Sequence, residues 1–276
     1  MDFVWITVLG AVQGATEFLP VSSSGHLAVG QLMLFGGEMD GGLTEQPLLL
    51  EVLLHLATLL AVVLVYRLDV LAVIRGAGQG LAALFRGRLG RAAADDDGVN
   101  LALCIVVGLL PTAGLGLLLR DPAVAISGSP LGLGLTFLAC ACLLIATRWW
   151  PGGSRRLDWK LALAIGVVQG LAVLPGISRS GVTIAAALAL GLDREEAARF
   201  SFLLSIPAII GAAALELDLE SLTAGEHAAA FAGGAVAAFL VGLGALLLLI
   251  KLVRGGRLWM FAPYVAAMAV FSLFFL

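Results

Sequence analysis

Apolar runs about twenty residues long alternate along most of the chain with short polar stretches that carry arginine. Six runs, at 48–66, 99–119, 130–148, 199–217, 228–250 and 258–275, are long enough to cross a bilayer as helices. Nineteen helical residues rise roughly 28 Å, close to the hydrocarbon thickness. Two further apolar stretches behave differently. Residues 13–25 read Gln-Gly-Ala-Thr-Glu-Phe-Leu-Pro-Val-Ser-Ser-Ser-Gly, and residues 169–181 read Gln-Gly-Leu-Ala-Val-Leu-Pro-Gly-Ile-Ser-Arg-Ser-Gly. Aligned without a gap, Gln13 pairs with Gln169, Gly14 with Gly170, Ser22 with Ser178, Ser24 with Ser180 and Gly25 with Gly181. Pro20 and Pro175, with their Ser/Gly neighbours, cut each stretch into two helices too short to cross. Polar, helix-breaking turns of this kind occur at membrane depth only where they line a cavity. Each stretch is therefore expected to be a re-entrant hairpin.

Parity then predicts the topology. Each half of the chain, approximately 1–150 and 151–276, holds one hairpin that crosses zero times and three spans that cross once each. Three crossings reverse direction, so the second hairpin enters from the face opposite the first. The expected fold is an all-α integral membrane protein with an inverted-topology repeat, each half a re-entrant helical hairpin plus three transmembrane helices, in a single membrane domain.

Charge orients this arrangement. The segments 67–98, 148–160, 192–199 and 251–257 fall on one side and hold 14 of the 16 Lys and Arg, all but Arg120 and Arg179. The positive-inside rule makes that side cytoplasmic. Acidic loops (Glu38, Asp40, Glu45; Glu216, Asp218, Glu220, Glu226) and both termini lie on the other, periplasmic side. Composition agrees: 61% hydrophobic and 13% charged residues stand far from the roughly 45–50% and 25% of a soluble domain. The net charge of -3 conceals the asymmetry, and no basic cluster suggests nucleic acid. The first stretch lacks the basic region and small-residue cleavage site of a signal peptide. Cys104, Cys140 and Cys142 fall within predicted spans and read as small apolar packing residues. Residues 76–98 mix glycine, arginine and Asp95-Asp96-Asp97, which predicts an interfacial helix and loop.

Ionisable groups at membrane depth are costly and rare, so each is a functional candidate. Glu17 lies one helical turn after Gln13 on the same face. Such an oxygen-bearing pair can hold a hard divalent ion alongside phosphate oxygens, Mg²⁺ first and Ca²⁺ as the alternative. Ser22, Ser23, Ser24 and Gly25 offer hydroxyls and backbone N–H groups at a helix start, a setting that attracts phosphate. The plain alternative is N-capping by Ser24 or a neighbour. His26, three residues after Ser23, could activate a hydroxyl or protonate a leaving group. Arg179 occupies the place of Ser23 in the second copy, between Ser178 and Ser180 and just before Gly181. A guanidinium there needs an anion, either a bidentate phosphate or, as a structural alternative, Glu17. Thr183, one turn on, adds a hydroxyl. Glu51, His55 and Thr58 share one face of the first span and read as supporting groups or as interhelical hydrogen-bonders.

The chain resembles the undecaprenyl-diphosphate phosphatase family of bacterial inner membranes, also known for bacitracin resistance. The resemblance rests on Gln13 to His26 and Pro175 to Thr183, with further matches at Glu51 to Arg67 and Asp193 to Pro207, and covers nearly the whole length. It implies interlocked inverted repeats with re-entrant hairpins and functional roles for Glu17, Ser23, His26, Arg179 and Thr183. The chain carries the Gln form of the first motif at Gln13, which leaves one fewer carboxylate for a metal. The implied reaction is hydrolysis of a polyprenyl diphosphate to the monophosphate and phosphate, which regenerates the lipid carrier for cell-wall polymers. The tail would lie among the spans while the diphosphate enters from the periplasmic face. Expected partners are this lipid, the bilayer and a second copy of the chain as a homodimer. Ser23 as nucleophile with His26 as base is one assignment; His26 as nucleophile and direct attack by water are others. Broken helices in inverted repeats also build secondary transporters, so a polyprenyl-phosphate flippase or anion transporter is the competing function.

Overall fold

The computed structural model describes residues 3–35, 48–216 and 228–276, so the acidic stretches at 36–47 and 217–227 lie outside it. Among the described residues there are thirteen α-helices and no strand. The first broken segment forms α1 (Phe3–Phe18) and α2 (Ser23–Phe35); the second forms α9 (Trp159–Leu171) and α10 (Arg179–Ala189). Between them run α3 (Leu48–Val65), α4 (Arg67–Phe85), α5 (Leu89–Asp95), α6 (Asp97–Leu118), α7 (Arg120–Ser127) and α8 (Pro130–Ala146). The chain then continues through α11 (Arg194–Glu216), α12 (Ala228–Arg254) and, after a single 3-10 turn, α13 (Ala262–Phe275).

Each predicted span corresponds to one of these helices, with ends moved by capping. The span expected from 199 begins at Arg194, because the Asp193 carboxylate accepts from the N–H groups of Glu195 and Glu196 at 2.8 and 2.9 Å. Among the described residues, five helical segments are long and apolar enough to cross a membrane: 67–85, 97–118, 194–215, 228–254 and 258–275. The pair α7 and α8, bent by 109°, makes a sixth if taken as one span. The helix α4 was expected to be interfacial, yet its 19 residues also meet the length and hydropathy of a span. Its inner face packs on α6. Gly76 and Gly80, one turn apart, both face Gly98–Val99 at the first turn of α6, and Gly98 in turn faces the Ala72 carbonyl. At these points α4 packs directly on the first turn of α6.

Two close helix pairs hold the halves together. Gly10 and Gly14 of α1 lie against the backbone of α12 at Gly234, Ala238 and Gly242, and a Cβ at Gly14 would come within 2.8 Å of the Gly242 nitrogen. Gly166 and Gly170 of α9 lie in the same way against Gly108, Pro111 and Leu115 of α6. Small residues permit this backbone approach, which gives dispersion contacts where no hydrophobic force acts between helices. Each hairpin thus docks its first helix on a span of the opposite half. The main core fills the space between, with Phe137, Leu144, Ile165, Phe200, Leu204 and Leu246 fully buried.

Candidate active site

The break in the first hairpin starts from Pro20. Val21 donates to the Leu19 carbonyl at 2.7 Å in a tight turn, and Ser22 takes φ +67, a left-handed conformation uncommon outside glycine. That conformation turns the Ser22 hydroxyl inward. It accepts from the Gly25 N–H at 3.2 Å, capping α2, and from the Gly176 N–H of the other hairpin at 3.1 Å. The cap is therefore Ser22 and not Ser24, which is exposed. Ser178, the repeat equivalent of Ser22, caps α10 through the Gly181 N–H at 3.3 Å. A Cβ on Gly25 would meet Gly176, and a Cβ on Gly181 would meet Pro20. The two turns are in direct contact.

Glu17 sits where they meet. Its side chain is 4% exposed, and one carboxylate oxygen accepts from the Arg179 guanidinium, whose side chain is 26% exposed. The other oxygen accepts from the Gln13 amide at 3.1 Å and the Ser23 hydroxyl at 3.4 Å. His55 on α3 completes the group, its Nε2 at 3.2 Å from the Gln13 amide nitrogen and 3.6 Å from Glu17 Oε2. The structure thus brings together Gln13, Glu17, Ser23, His55 and Arg179 from four helices, α1, α2, α3 and α10, across 162 positions for the Arg179–Glu17 pair.

His26 is directed elsewhere. Its Nδ1 lies 2.8 Å from the Ser22 carbonyl oxygen, which can only accept, so Nδ1 carries the proton. Its Nε2 lies 2.6 Å from the Tyr264 hydroxyl, and the two rings stack with centroids 5.6 Å apart and planes within 3°. Among the described residues no hydrogen bond joins His26 to Ser23; the serine bonds Glu17 instead. Tyr264, in the first turn of α13, carried no signal in the sequence, because an aromatic in an apolar run reads as lipid-facing.

Four hydroxyls expected to reach substrate are buried and committed within the protein. Ser22 ties the turns as described. Ser180 donates to the Phe18 carbonyl at 2.8 Å and pairs with Ser178 at 3.3 Å. Thr183 donates to the Arg179 carbonyl at 2.7 Å and meets the Ser201 hydroxyl of α11 at 2.5 Å. These groups, with Gly25 and Gly181, hold the shape of the turns, and Ser201 joins them as a partner the sequence did not indicate. Thr58 is buried and donates to the His55 carbonyl at 2.8 Å; the Glu51 side chain lies outside the described residues.

The donor set limits what cation could bind. Among the described residues no three His, Cys, Asp or Glu side chains cluster. Gln13 turns its amide nitrogen toward Glu17, so an ion beside Glu17 requires that amide to turn over and present its oxygen. One carboxylate and one amide oxygen fit an ion shared with substrate phosphates, as Mg²⁺ is commonly bound, and not an all-protein cage.

Comparison with known proteins gives a consistent result. The family described as bacitracin resistance protein BacA matches residues 6–271. The undecaprenyl-diphosphatase of Desulfosudis oleivorans is 49% identical, covering 96% of this chain and 95% of its own. Those of Desulfatibacillum aliphaticivorans and Korarchaeum cryptofilum are 44% and 40% identical, covering 96% and 99% of this chain and 95% and 100% of theirs. With nearly the whole length matched by the family and by these relatives, the chain belongs to the bacitracin resistance protein BacA family.

Proposed function

We infer that this multi-pass membrane protein is an undecaprenyl-diphosphatase, hydrolysing undecaprenyl diphosphate to the monophosphate and inorganic phosphate. The observation that carries the reading is the buried Glu17–Arg179 pair at the junction of two broken helices, with the Ser23 hydroxyl on the same carboxylate. Phosphoryl transfer depends mainly on positioning and charge neutralisation. Arg179, partly exposed at the turn, binds the terminal phosphate through its planar fork. As it does so it releases Glu17, which becomes free to take the Ser23 proton. Ser23 then attacks the terminal phosphorus, the anhydride P–O bond breaks, and undecaprenyl monophosphate leaves. Water hydrolyses the resulting phosphoserine to free phosphate. In this scheme Glu17, and not His26, is the base for Ser23, because the Ser23 hydroxyl bonds Glu17 while His26 bonds Ser22 and Tyr264. A divalent cation, Mg²⁺ or Ca²⁺, would be held by Glu17 and the turned Gln13 amide and would neutralise diphosphate charge.

The two halves are read as inverted repeats. Supporting this, equivalent positions are 156 residues apart in the hairpins, so Gly25 on Gly176 and Gly181 on Pro20 are one contact with the halves exchanged. Gly10 on Gly234 and Gly166 on Gly108 form a second such pair. Reciprocal contacts are what a local two-fold axis produces. With arginine-rich segments cytoplasmic, the chain belongs in the bacterial inner membrane with its termini and site opening to the periplasm. A homodimer is compatible with the exposed apolar faces of this bundle. An impermeant thiol reagent applied outside should fail to label Arg88→Cys on a cysteine-free background; labelling would reverse the orientation.

Phosphate release from detergent-solubilised undecaprenyl diphosphate by the purified protein tests the activity. Absence of release from folded protein supplied with divalent cation would overturn it.

A further inference from the structure

We propose that the groove between the end of α4 and α5 binds the phosphate of an anionic phospholipid of the surrounding bilayer. The groove is open, with a volume of about 220 Å³, and is lined by Gln79, Arg86, Arg88, Arg91 and Asp95 together with two alanines. Three arginines therefore line one concavity, and its lining holds a single carboxylate. Among the described residues none of the three makes an ion pair, not even with Asp95 of the same groove, so their charge is left for a ligand. Exclusion of cations from the periplasmic side would place arginines on this segment, but it would not by itself gather three of them around one groove. This grouping has a backbone cause. Gly87 at φ +65 ends α4, with Gly87 donating to the Leu84 carbonyl at 3.0 Å and Arg88 donating to the Ala83 carbonyl at 2.8 Å. This paired-bond C-terminal cap fixes the directions in which Arg86 and Arg88 leave the helix.

The neighbouring surface decides between a lipid and a free anion. The inner face of α4, through Gly76 and Gly80, lies on α6. The opposite face presents Leu71, Ile74, Leu81, Leu84 and Phe85, all exposed, with Phe85 83% exposed directly before Arg86. An uncovered apolar face on a membrane protein meets acyl chains. The arginines at its end then stand at head-group level, where basic residues beside an interfacial helix attract anionic lipid. A ligand with both a phosphate and acyl chains satisfies both surfaces, and inorganic phosphate satisfies only one. The occupant is a phosphodiester lipid such as phosphatidylglycerol, bound away from the catalytic turns.

The test uses the full chain purified in neutral detergent. Its apparent unfolding midpoint is measured with added phosphatidylglycerol, phosphatidylcholine or inorganic phosphate, and bound lipid is counted by native mass spectrometry. The expected result is a rise of several degrees and one retained phosphatidylglycerol for the native protein, with neither from the other two probes. Arg86→Gln/Arg88→Gln/Arg91→Gln should lose that retained lipid while hydrolysing substrate in detergent at the native rate. Asp95→Asn, which removes the one opposing charge from an exposed position, should bind phosphatidylglycerol severalfold more tightly and keeps the test decisive if the triple variant does not fold. Equal retention by the triple variant, unchanged affinity in Asp95→Asn, or an equal rise with phosphatidylcholine or inorganic phosphate would each overturn the proposal.

Discussion

Replacing Glu17 with Gln removes one charge and almost no volume, so it isolates the ion pair that joins the two hairpins. Arg179 would then sit at the junction without its counter-ion. Breaking a buried pair costs about 3–5 kcal/mol, chiefly because the surviving charge is left uncompensated. Glu17 is 4% exposed but Arg179 is 26% exposed, so solvent recovers part of that loss and the lower end, about 3 kcal/mol, applies. At roughly 2–4 °C per kcal/mol for a chain of this size, the apparent midpoint in detergent should fall by about 6–12 °C. A second arm makes the reasoning sharper. Inorganic diphosphate must displace Glu17 in the native protein but finds Arg179 free in the variant. At a hundredfold excess over its dissociation constant it contributes about 2.7 kcal/mol, enough to restore most of the loss. A variant that melts with the native protein, or one that diphosphate fails to rescue, would refute the claim that Glu17 is the resting counter-ion of a phosphate-binding arginine.

Arg179→Lys keeps the charge but loses the planar fork, and turnover should fall at least about tenfold, near 1.4 kcal/mol; full turnover would show that a point charge suffices. Ser23→Ala should abolish turnover while retaining substrate binding, and acid-stable label should map to Ser23 in the native protein, whereas acid-labile label on His26 would make His26 the nucleophile and no label would favour water. Tyr264→Phe preserves the ring stack and removes only the hydroxyl, so an intact midpoint with a lower kcat and a shifted pH profile is expected if His26 transfers protons through Nε2; an unchanged profile would confine the pair to packing. Gly166→Leu forces a side chain onto the Gly108 backbone, whose Cα would lie 2.7 Å from the new Cβ, and should destabilise by about 1–3 kcal/mol or more. Gly30→Ala meets nothing within 4 Å and should be neutral or gain up to about 1 kcal/mol of helix propensity, as thermal midpoints of the two variants will show.

The apolar helices and the two broken segments, with the ionisable residues inside them, were legible in the sequence because their causes are local. Hydropathy over twenty residues, a proline beside serine and glycine, and an arginine inside an apolar run need no partner to be recognised. The pairing of Glu17 with Arg179 could be stated only as an alternative, since an intramembrane arginine announces that it needs an anion but not which one. Other features had no trace in the sequence. His26 was expected to serve Ser23 from its helical spacing, yet the left-handed Ser22 and the docking of α13 give its ring to Ser22 and to Tyr264, 238 positions away. The hydroxyls of Ser180 and Thr183 look like phosphate ligands along the chain and become ties to Phe18 and Ser201 once the helices cross. A side chain's direction is set by its own backbone angle and by the helix packed against it, and a partner on another helix leaves no periodic mark on the sequence, whether 18 positions away, as Ser201 is from Thr183, or 238, as Tyr264 is from His26.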